Sequence, residues 1–276
     1  MIDLHCHSDF SDGLLSPEAL FSQAIKAGIQ VLALTDHDTV DGLTRLHQAA
    51  SNSTMRIING IELSVRWKKY DIHILGLNIN PIDPHLKQLI RLQKEHRIER
   101  AIAIGECLAR CGVENAYQKA CEIAGHQRVG RPHFAQVLIN EGLVPNMNVA
   151  FKRFLGDRQK AYVPTSWISL DEAVQGIMQA GGQAVIAHPL KYKLTRTKLH
   201  ELIKHFKIAG GVGLEVVSGD MLWTDVHEAA QTCSRFELLA STGSDYHGDK
   251  LSRVALGRQK QLPEDCVPIW HQWSVN

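Results

Sequence analysis

Seven short apolar runs punctuate the chain, and each of them leads into, or carries, a histidine or a carboxylate. Residues 2–4 lead into His5 and His7, 31–34 into Asp36, His37 and Asp38, 184–187 into His188, and 238–242 into Asp245 and His247. Runs 57–63, 72–77 and 212–217 contain Glu62, His73 and Glu215. Between several runs lie amphipathic segments with helix end signals. Ser16-Pro17-Glu18 reads as an N-cap, a first-turn proline and a first-turn acid, with Gly28 at the far end; Ser169 opens a second such segment, which Gly181 closes. Strand, helix, strand at this spacing predicts parallel βα units, and seven such strands predict a barrel-like α/β architecture rather than a sandwich. In a parallel barrel the C-terminal strand ends meet on one face. Polar residues scattered from His5 to His247 are therefore expected to converge in one basin.

The rhythm breaks between residues 84 and 164. There Leu86, Leu89, Ile90, Ile98, Ala101, Ile102, Gly105 and Leu108 keep a 3.6-residue period, and shorter helical patterns follow at 117–123, 134–139 and 149–155. The expected organisation is a barrel built from residues 1–83 and 165–276, interrupted by a helical insertion over 84–164. A chain of 276 residues, 44% of them hydrophobic, buries a core without disulfides. The six cysteines form no CxxC pair and read as buried free thiols, with Cys107 and Cys111 sharing a helix face. No apolar run approaches the roughly 18 residues of a membrane span, and no signal-peptide pattern opens the sequence, so a cytoplasmic setting is expected. Lys+Arg is 30 against Asp+Glu 29, a balance unsuited to long-duplex binding but compatible with a short nucleotide held by a local charge cluster.

Histidine is the compositional outlier, at 15 residues against 7 Phe, 5 Tyr and 5 Trp, and it is the commonest metal ligand. In an extended strand His5 and His7 point to the same side and can grip one cation. Each motif alone has an ordinary reading: a satisfied core histidine, a turn residue at Asp12 in Ser11-Asp12-Gly13, a strand end at His188-Pro189, a cap at Asp245. The ordinary readings fail only jointly, because six histidines and three carboxylates would have to gather at strand ends by accident. Asp36 and Asp38 read either as acceptors that orient His37 or as caps of the following turn. The mixed-sign run 91–100 reads as a solvated helix face. Trp67-Lys68-Lys69 reads as a hairpin tip, with base stacking as the alternative. Glu215 is not assigned as a ligand, and Trp270 and Trp273 are expected to pack onto the barrel.

The motifs in order are His5-Cys6-His7-Ser8 with Ser11-Asp12-Gly13, then Leu34-Thr35-Asp36-His37-Asp38-Thr39, Gly60-Ile61-Glu62-Leu63-Ser64, His73-Ile74-Leu75-Gly76, Ala187-His188-Pro189 and Gly243-Ser244-Asp245-Tyr246-His247. Together they resemble the PHP (polymerase and histidinol phosphatase) family over nearly the whole chain. The resemblance implies a distorted (β/α)7 barrel with a trinuclear metal centre that hydrolyses phosphoesters. It implies a first metal held by His5, His7, Glu62 and Asp245, a second by Glu62, His73 and His188 with Glu62 bridging, and a third by Asp12, His37 and His247. Some family members carry a histidine where this chain has Asp12. The helical insertion, with Val129-Gly130-Arg131-Pro132-His133-Phe134 and Lys160-Ala161-Tyr162-Val163-Pro164, is similar to the nucleotide-acting branch: 3',5'-nucleoside bisphosphate phosphatases and bacterial 5'-to-3' exoribonucleases.

Nitrogen and oxygen ligands without thiolate suit three divalent ions, Mn²⁺ first, with Fe²⁺ or Zn²⁺ as alternatives. Their excess positive charge favours an anionic substrate over a neutral amide. Pro132 at the first turn of a helix places Arg131 and His133 beside free backbone N–H groups, an arrangement expected to bind a second phosphate with help from Lys160. The expected activity is removal of the 3'-phosphate from a 3',5'-bisphosphonucleoside such as pAp, or release of 5'-nucleotides from short 5'-phosphorylated single-stranded RNA. A histidinol-phosphate type phosphomonoesterase and a non-catalytic nucleotide-binding module are the alternatives. No membrane and no obligate protein partner are expected.

Overall fold

The structure is a computed structural model that describes residues 1–273. The chain divides into two units, one formed by residues 1–90 and 168–276 and the other by residues 91–167.

The first unit is built on one sheet. Its strands are β1 (Ile2–Asp3), β2 (Val31–Leu34), β3 (Arg56–Trp67), β4 (Tyr70–Leu77), β5 (Ile168–Ser169), β6 (Gln183–Ile186), β7 (Gly213–Ser218) and β8 (Leu239–Gly243). Seven of them follow the order β1-β2-β3-β4-β6-β7-β8, while β5 pairs with the outer end of β3. The ring closes between β8 and the continuation of β1: Leu4 N–H donates to Thr242 O (3.0 Å), Asp245 N–H to His5 O (2.8 Å) and His7 N–H to Tyr246 O (2.9 Å). Gly243 permits this closure, because a Cβ there would lie 2.2 Å from the His5 Cβ and 2.7 Å from its backbone nitrogen.

The pairs β1–β2, β2–β3, β6–β7 and β7–β8 are parallel, as the βα spacing predicts. β4 departs from that pattern and is antiparallel to both neighbours, β3 and β6. No helix separates β3 from β4; Lys68 and Lys69 form a two-residue tip, with Trp67 paired to Tyr70 and Lys68 at φ 54°. The hairpin reading of this segment stands, and the indole of Trp67 is buried rather than offered to a base.

Strand alternation sorts the core. Leu4, Ala33, Ile58, Leu75, Val185 and Ala187 face the ring interior, where Ile269 and Trp273 pack with them, and Trp273 Nε1–H donates to Gln183 Oε1 at 2.6 Å. The opposite strand faces, with Ile61, Leu63, Ile74, Ile186 and Leu214 among them, pack against the helices. Those helices are α1 (Pro17–Ala27), α2 (Leu43–Ala50), the start of α3 (Pro84–Ala109), α7 (Leu170–Gln179), α8 (Arg196–Ala209) and α9 (Trp223–Arg235). The local signals behave as chemistry dictates: the Ser16 side chain accepts from Ala19 N–H and Gly28 closes α1 at φ 78°, while Ser169 and Glu172 form a reciprocal capping box on α7.

The second unit contains the rest of α3 together with α4 (Ala116–Ala124), α5 (Arg131–Asn140) and α6 (Met147–Ala150), the last running into a π turn at Phe151–Leu155. Its core is aliphatic and aromatic, centred on Leu108, Phe134, Leu138 and Leu155. Two expectations are corrected here. Cys111 lies beyond the end of α3, so it and Cys107 do not share a helix face. The charged run is not wholly solvated: Gln93, Arg97 and Arg100 are buried, and both guanidiniums stack on Trp167, 5.3 and 4.7 Å from a ring centroid. An i, i+3 pair of long stems covering an indole is a packing solution that alternating charge does not announce.

Candidate metal centre

Glu62 lies within β3 and is fully buried, at the centre of an imidazole cluster. Its Oε1 is 2.9 Å from His73 Nδ1 and 2.9 Å from His188 Nε2; its Oε2 is 3.0 Å from His37 Nδ1 and 3.3 Å from both His5 Nε2 and His7 Nε2. Asp245 Oδ1 is 3.4 Å from His5 Nε2 and from His7 Nε2. Asp12 Oδ1 is 3.3 Å from His247 Nε2, and its Oδ2 is 3.8 Å from His37 Nε2. All nine side chains that the barrel motifs single out thus form one connected cluster. Antiparallel β4 makes this possible, because His73 near its start reaches the end of the ring where the other strands finish.

The backbone is arranged to hold them. Asp36 accepts from Ser8 N–H (2.8 Å), Ser8 Oγ–H (2.7 Å) and Ser11 Oγ–H (2.7 Å), which ties the loop carrying Asp12 to the end of β2. Asp38 accepts from Ser64 N–H (2.7 Å) and Oγ–H (2.8 Å), which ties the segment carrying His37 to β3. These two carboxylates act as clamps between strand ends, a role in neither sequence reading. Asp3 accepts from the N–H groups of His5, Ser244 and Gly257 (3.3, 2.9 and 2.9 Å), and burial pushes the carboxyls of Asp3 and Asp36 up from their usual range. Tyr192 Oη, itself buried, donates to Ala187 O and accepts from His73 N–H, both at 2.8 Å, bridging the two strands that present His73 and His188. His188 (φ 29°) and Asp245 (φ 51°) adopt left-handed backbone, a strain of roughly 1–3 kcal/mol each that accumulates where side chains must be aimed.

The electrostatics of the cluster are those of a site short of positive charge. Burial alone would lower the pKa of His5, but the carboxylates of Glu215, Glu62 and Asp245 outweigh it and raise it well above the usual imidazole value. Burial likewise opposes the proton on His7, yet hydrogen bonds to Asp245 and Glu62 push it up to about 10. For His37 burial prevails, with His7 and His73 adding like charge, and its pKa falls to about 3. Burial would raise Asp12, Glu62 and Asp245, but the surrounding imidazoles, and Lys191 for Asp245, hold all three well below the usual carboxyl range.

Several buried donors and acceptors point into space rather than at one another. His7 Nδ1, Asp12 Oδ1, His37 Nδ1, Glu62 Oε2 and His188 Nδ1 make no hydrogen bond of acceptable geometry despite close polar neighbours. The packing around one of these gaps is quantitative. His5 Nε2 and His7 Nε2 are 3.2 Å apart, and the distances from each to Glu62 Oε2 and Asp245 Oδ1 are 3.3 and 3.4 Å. His5, His7 and Asp245 form one group whose ligand atoms all lie within 4.8 Å of one another, and Glu62 Oε2 adjoins both imidazoles of that group, a donor set of the kind that holds a divalent transition metal. The donor set therefore fits a metal ion. Further groups whose ligand atoms lie within 4.8 Å of one another are His5, Glu62 and His188; His37, Glu62 and His73; and His7, Asp12, His37 and His247. His73 and His188 fall in different groups but share one oxygen, each 2.9 Å from Glu62 Oε1.

The comparisons with known proteins can be set against this geometry. A PHP domain model matches residues 3–103. A 3',5'-nucleoside bisphosphate phosphatase from Chromobacterium violaceum is 39% identical over 272 residues, 98% of this chain and 95% of that protein. The chain belongs to the PHP family. A 5'-3' exoribonuclease from Haemophilus influenzae is 38% identical, with 98% of each chain covered. A solved Chromobacterium violaceum structure, described as an amidohydrolase with bound sulfate and no metal, superimposes with a TM-score of 0.94 at 39% identity, covering 98% of this chain and 94% of that one. PHP membership and the fold leave the remaining predicted residues to be placed. Arg131 and His133 occupy the first turn of α5 in the helical unit, where the Gly130 N–H donates to His133 Nδ1 at 3.0 Å. Lys160 lies in the same unit, 6.0 Å from the Phe154 ring centroid. Two residues the motifs did not single out belong to the cluster: Lys191, whose ammonium is hydrogen-bonded to Asp245 Oδ2, and Glu215. A carboxylate inside the apolar stretch Gly213–Ser218 was the available signal for the latter. Among the described residues no helix is long and apolar enough to cross a membrane.

Proposed function

We propose that the chain is a metal-dependent phosphoesterase that removes the 3'-phosphate from 3',5'-bisphosphonucleosides such as pAp. The observation that carries the reading is the run of overlapping imidazole and carboxylate groups from His5, His7 and Asp245 through Glu62 to His247, each with its ligand atoms within 4.8 Å of one another. Three ions are assigned. His5, His7, Asp245 and Glu62 hold the first, Glu62 with His73 and His188 the second, and Asp12 with His37 and His247 the third. Imidazole and carboxylate donors suit Mn²⁺, ahead of Fe²⁺ or Zn²⁺. When bound, such ions polarise a phosphoryl group and acidify water.

The chain's own residues supply the rest. Glu62 faces His37 with one oxygen and His73 with the other and would be shared between ions, and His37, held neutral by burial, is ready to ligate without losing a proton. Three divalent ions and the Lys191 ammonium set against Asp12, Glu62, Asp245 and Glu215 leave roughly three positive charges, which a phosphate dianion and a hydroxide nearly cancel. The names of the relatives and the tetrahedral dianion bound by the solved neighbour support an anionic substrate over an amide. In the helical unit Arg131, His133 and Lys160 are assigned to the substrate's second phosphate, where the guanidinium supplies charge and the first turn of α5 supplies N–H groups. The relative named as an exoribonuclease supports a companion activity, release of 5'-nucleotides from short 5'-phosphorylated RNA.

Phosphate release from pAp, AMP and histidinol phosphate, nucleotide release from a 5'-phosphorylated oligoribonucleotide, and hydrolysis of a simple amide, all under Mn²⁺, test the reading. Preferred release from pAp is expected. Preference for histidinol phosphate or the amide would overturn it.

A further inference from the structure

We propose that Glu215 is a positioning residue that aims His5 and His188 together, coupling the first and second metal positions while leaving the third independent. The inference rests on the metal-centre reading above. β7 is buried from end to end, so a carboxylate in its middle needs compensation for lost hydration. Glu215 finds it on two different strands. Its Oε1 accepts from His5 Nδ1–H at 2.9 Å, and its Oε2 accepts from the His188 backbone N–H at 2.6 Å.

Each bond fixes something a ligand needs. With Nδ1 committed to Glu215, the His5 ring presents Nε2, the atom 3.2 Å from His7 Nε2 and 3.3 and 3.4 Å from the Glu62 and Asp245 oxygens. A carboxylate behind an imidazole also makes the ring a stronger donor. The second bond secures the backbone of His188 at φ 29°, immediately before Pro189, a conformation this residue would otherwise leave. From there His188 Nε2 reaches Glu62 Oε1 at 2.9 Å. The β7–β8 register supplies the aim: Glu215 opposes Ser241 and Val217 opposes Thr242, so one extra residue bulges β7 directly after Glu215. No described hydrogen bond links Glu215 to Asp12, His37 or His247.

The test compares wild type, Glu215→Gln and Glu215→Asp as full chains, stripped and reloaded with Mn²⁺. Dissociation constants are read by chelator competition and metal per chain by elemental analysis, with melting of the stripped proteins as a folding control. Glutamine has one carbonyl oxygen for two donors and aspartate is one methylene short, so each variant keeps at most one bond. Two of the three ions should bind about 10- to 100-fold more weakly and the third as in wild type. Uniform weakening of all three, or wild-type constants in a folded variant, overturns the proposal. Should Glu215→Gln fail to fold, Glu215→Asp, which retains the charge, is read by the same criterion. A wild-type protein that takes up no divalent ion would instead sink the metal-centre reading, an outcome distinct from wild-type-like variants.

Discussion

In the barrel unit carboxylates are buried against imidazoles at strand ends, whereas in the helical unit the buried polar groups include guanidiniums stacked on an indole and backbone groups closed by a cap. The barrel arrangement is frustrated without an added cation: five buried polar atoms in the cluster lack hydrogen bonds, and protons on His5 and His7 stand in for positive charge. The core of the helical unit is aliphatic and aromatic, and among the described residues it carries no group of imidazoles and carboxylates able to hold a metal ion. A region that needs a ligand to balance its charge is tied to its chemistry; one that is balanced already can vary its surface at small cost. The comparison predicts that substitutions in the barrel cluster abolish turnover together with metal binding, and that substitutions in the helical unit alter substrate preference alone.

The largest effect is expected at Glu62. Glu62→Gln removes the charge shared by five imidazoles, and turnover of pAp should fall on the order of 10³-fold or more, with loss of bound metal. Elemental analysis beside a phosphate-release assay checks it. Full turnover in a metal-poor variant would break the link between the cluster and the chemistry.

The next effect is a pH dependence. His5 and His7 hold protons in the metal-free protein, His7 up to about 10, so metal entry must displace them. Affinity should rise about tenfold per pH unit for each proton released, measured by chelator competition at several pH values. Stability of the stripped protein follows the same protons. The pKa of His7 is raised from the usual 6.5 to about 10, so its contribution is complete below pH 6.5 and lost as pH climbs towards about 10. The depressed carboxyls of Asp12, Glu62 and Asp245 contribute above their ordinary range and lose that contribution as pH falls through their folded values. The melting temperature of the stripped protein should therefore decline on both sides of mildly acidic pH, and the gain on adding metal should grow as pH rises. A pH-independent gain would contradict the proton inventory.

The two regions also differ in how much of them the sequence discloses. Strand ends carry dense motifs, because a chain that must deliver several ligands to one point repeats the same signal at each delivery: His5-Cys6-His7, Asp36-His37-Asp38, Asp245-Tyr246-His247. Glu215 was visible in its apolar run but carried no assigned role, because its meaning lies in two partners, one 210 and the other 27 positions away. The reversal of β4 was half legible, since the Lys68-Lys69 tip was readable but apolar runs carry no direction. The serine partners of Asp36 and Asp38 follow from register, which periodicity alone does not fix. In the helical unit the period marks out the helices, but the burial of Arg97 and Arg100 depends on Trp167, outside the periodic segment.

A smaller effect sharpens the other half of the comparison. Arg131→Ala should raise KM for pAp by roughly thirtyfold, about 2 kcal/mol for a charge-assisted contact, while bound metal stays at the wild-type level. An unchanged ratio of pAp to AMP turnover would remove Arg131 from the substrate's second phosphate.

The smallest effect separates structure from recognition at His133. Its Nδ1 accepts from Gly130 N–H and completes the first turn of α5, so a loss of activity in His133→Ala could come from the helix start alone. Glutamine at this position of a capping box can make the same back-bond without an imidazole. His133→Gln should therefore melt within a few tenths of a kcal/mol of wild type, and His133→Ala about 1 kcal/mol lower. If the imidazole touches substrate, both variants raise KM for pAp equally despite their different stabilities. A KM that follows melting temperature, normal in His133→Gln and raised in His133→Ala, would assign His133 to the cap and leave Arg131 and Lys160 to hold the second phosphate.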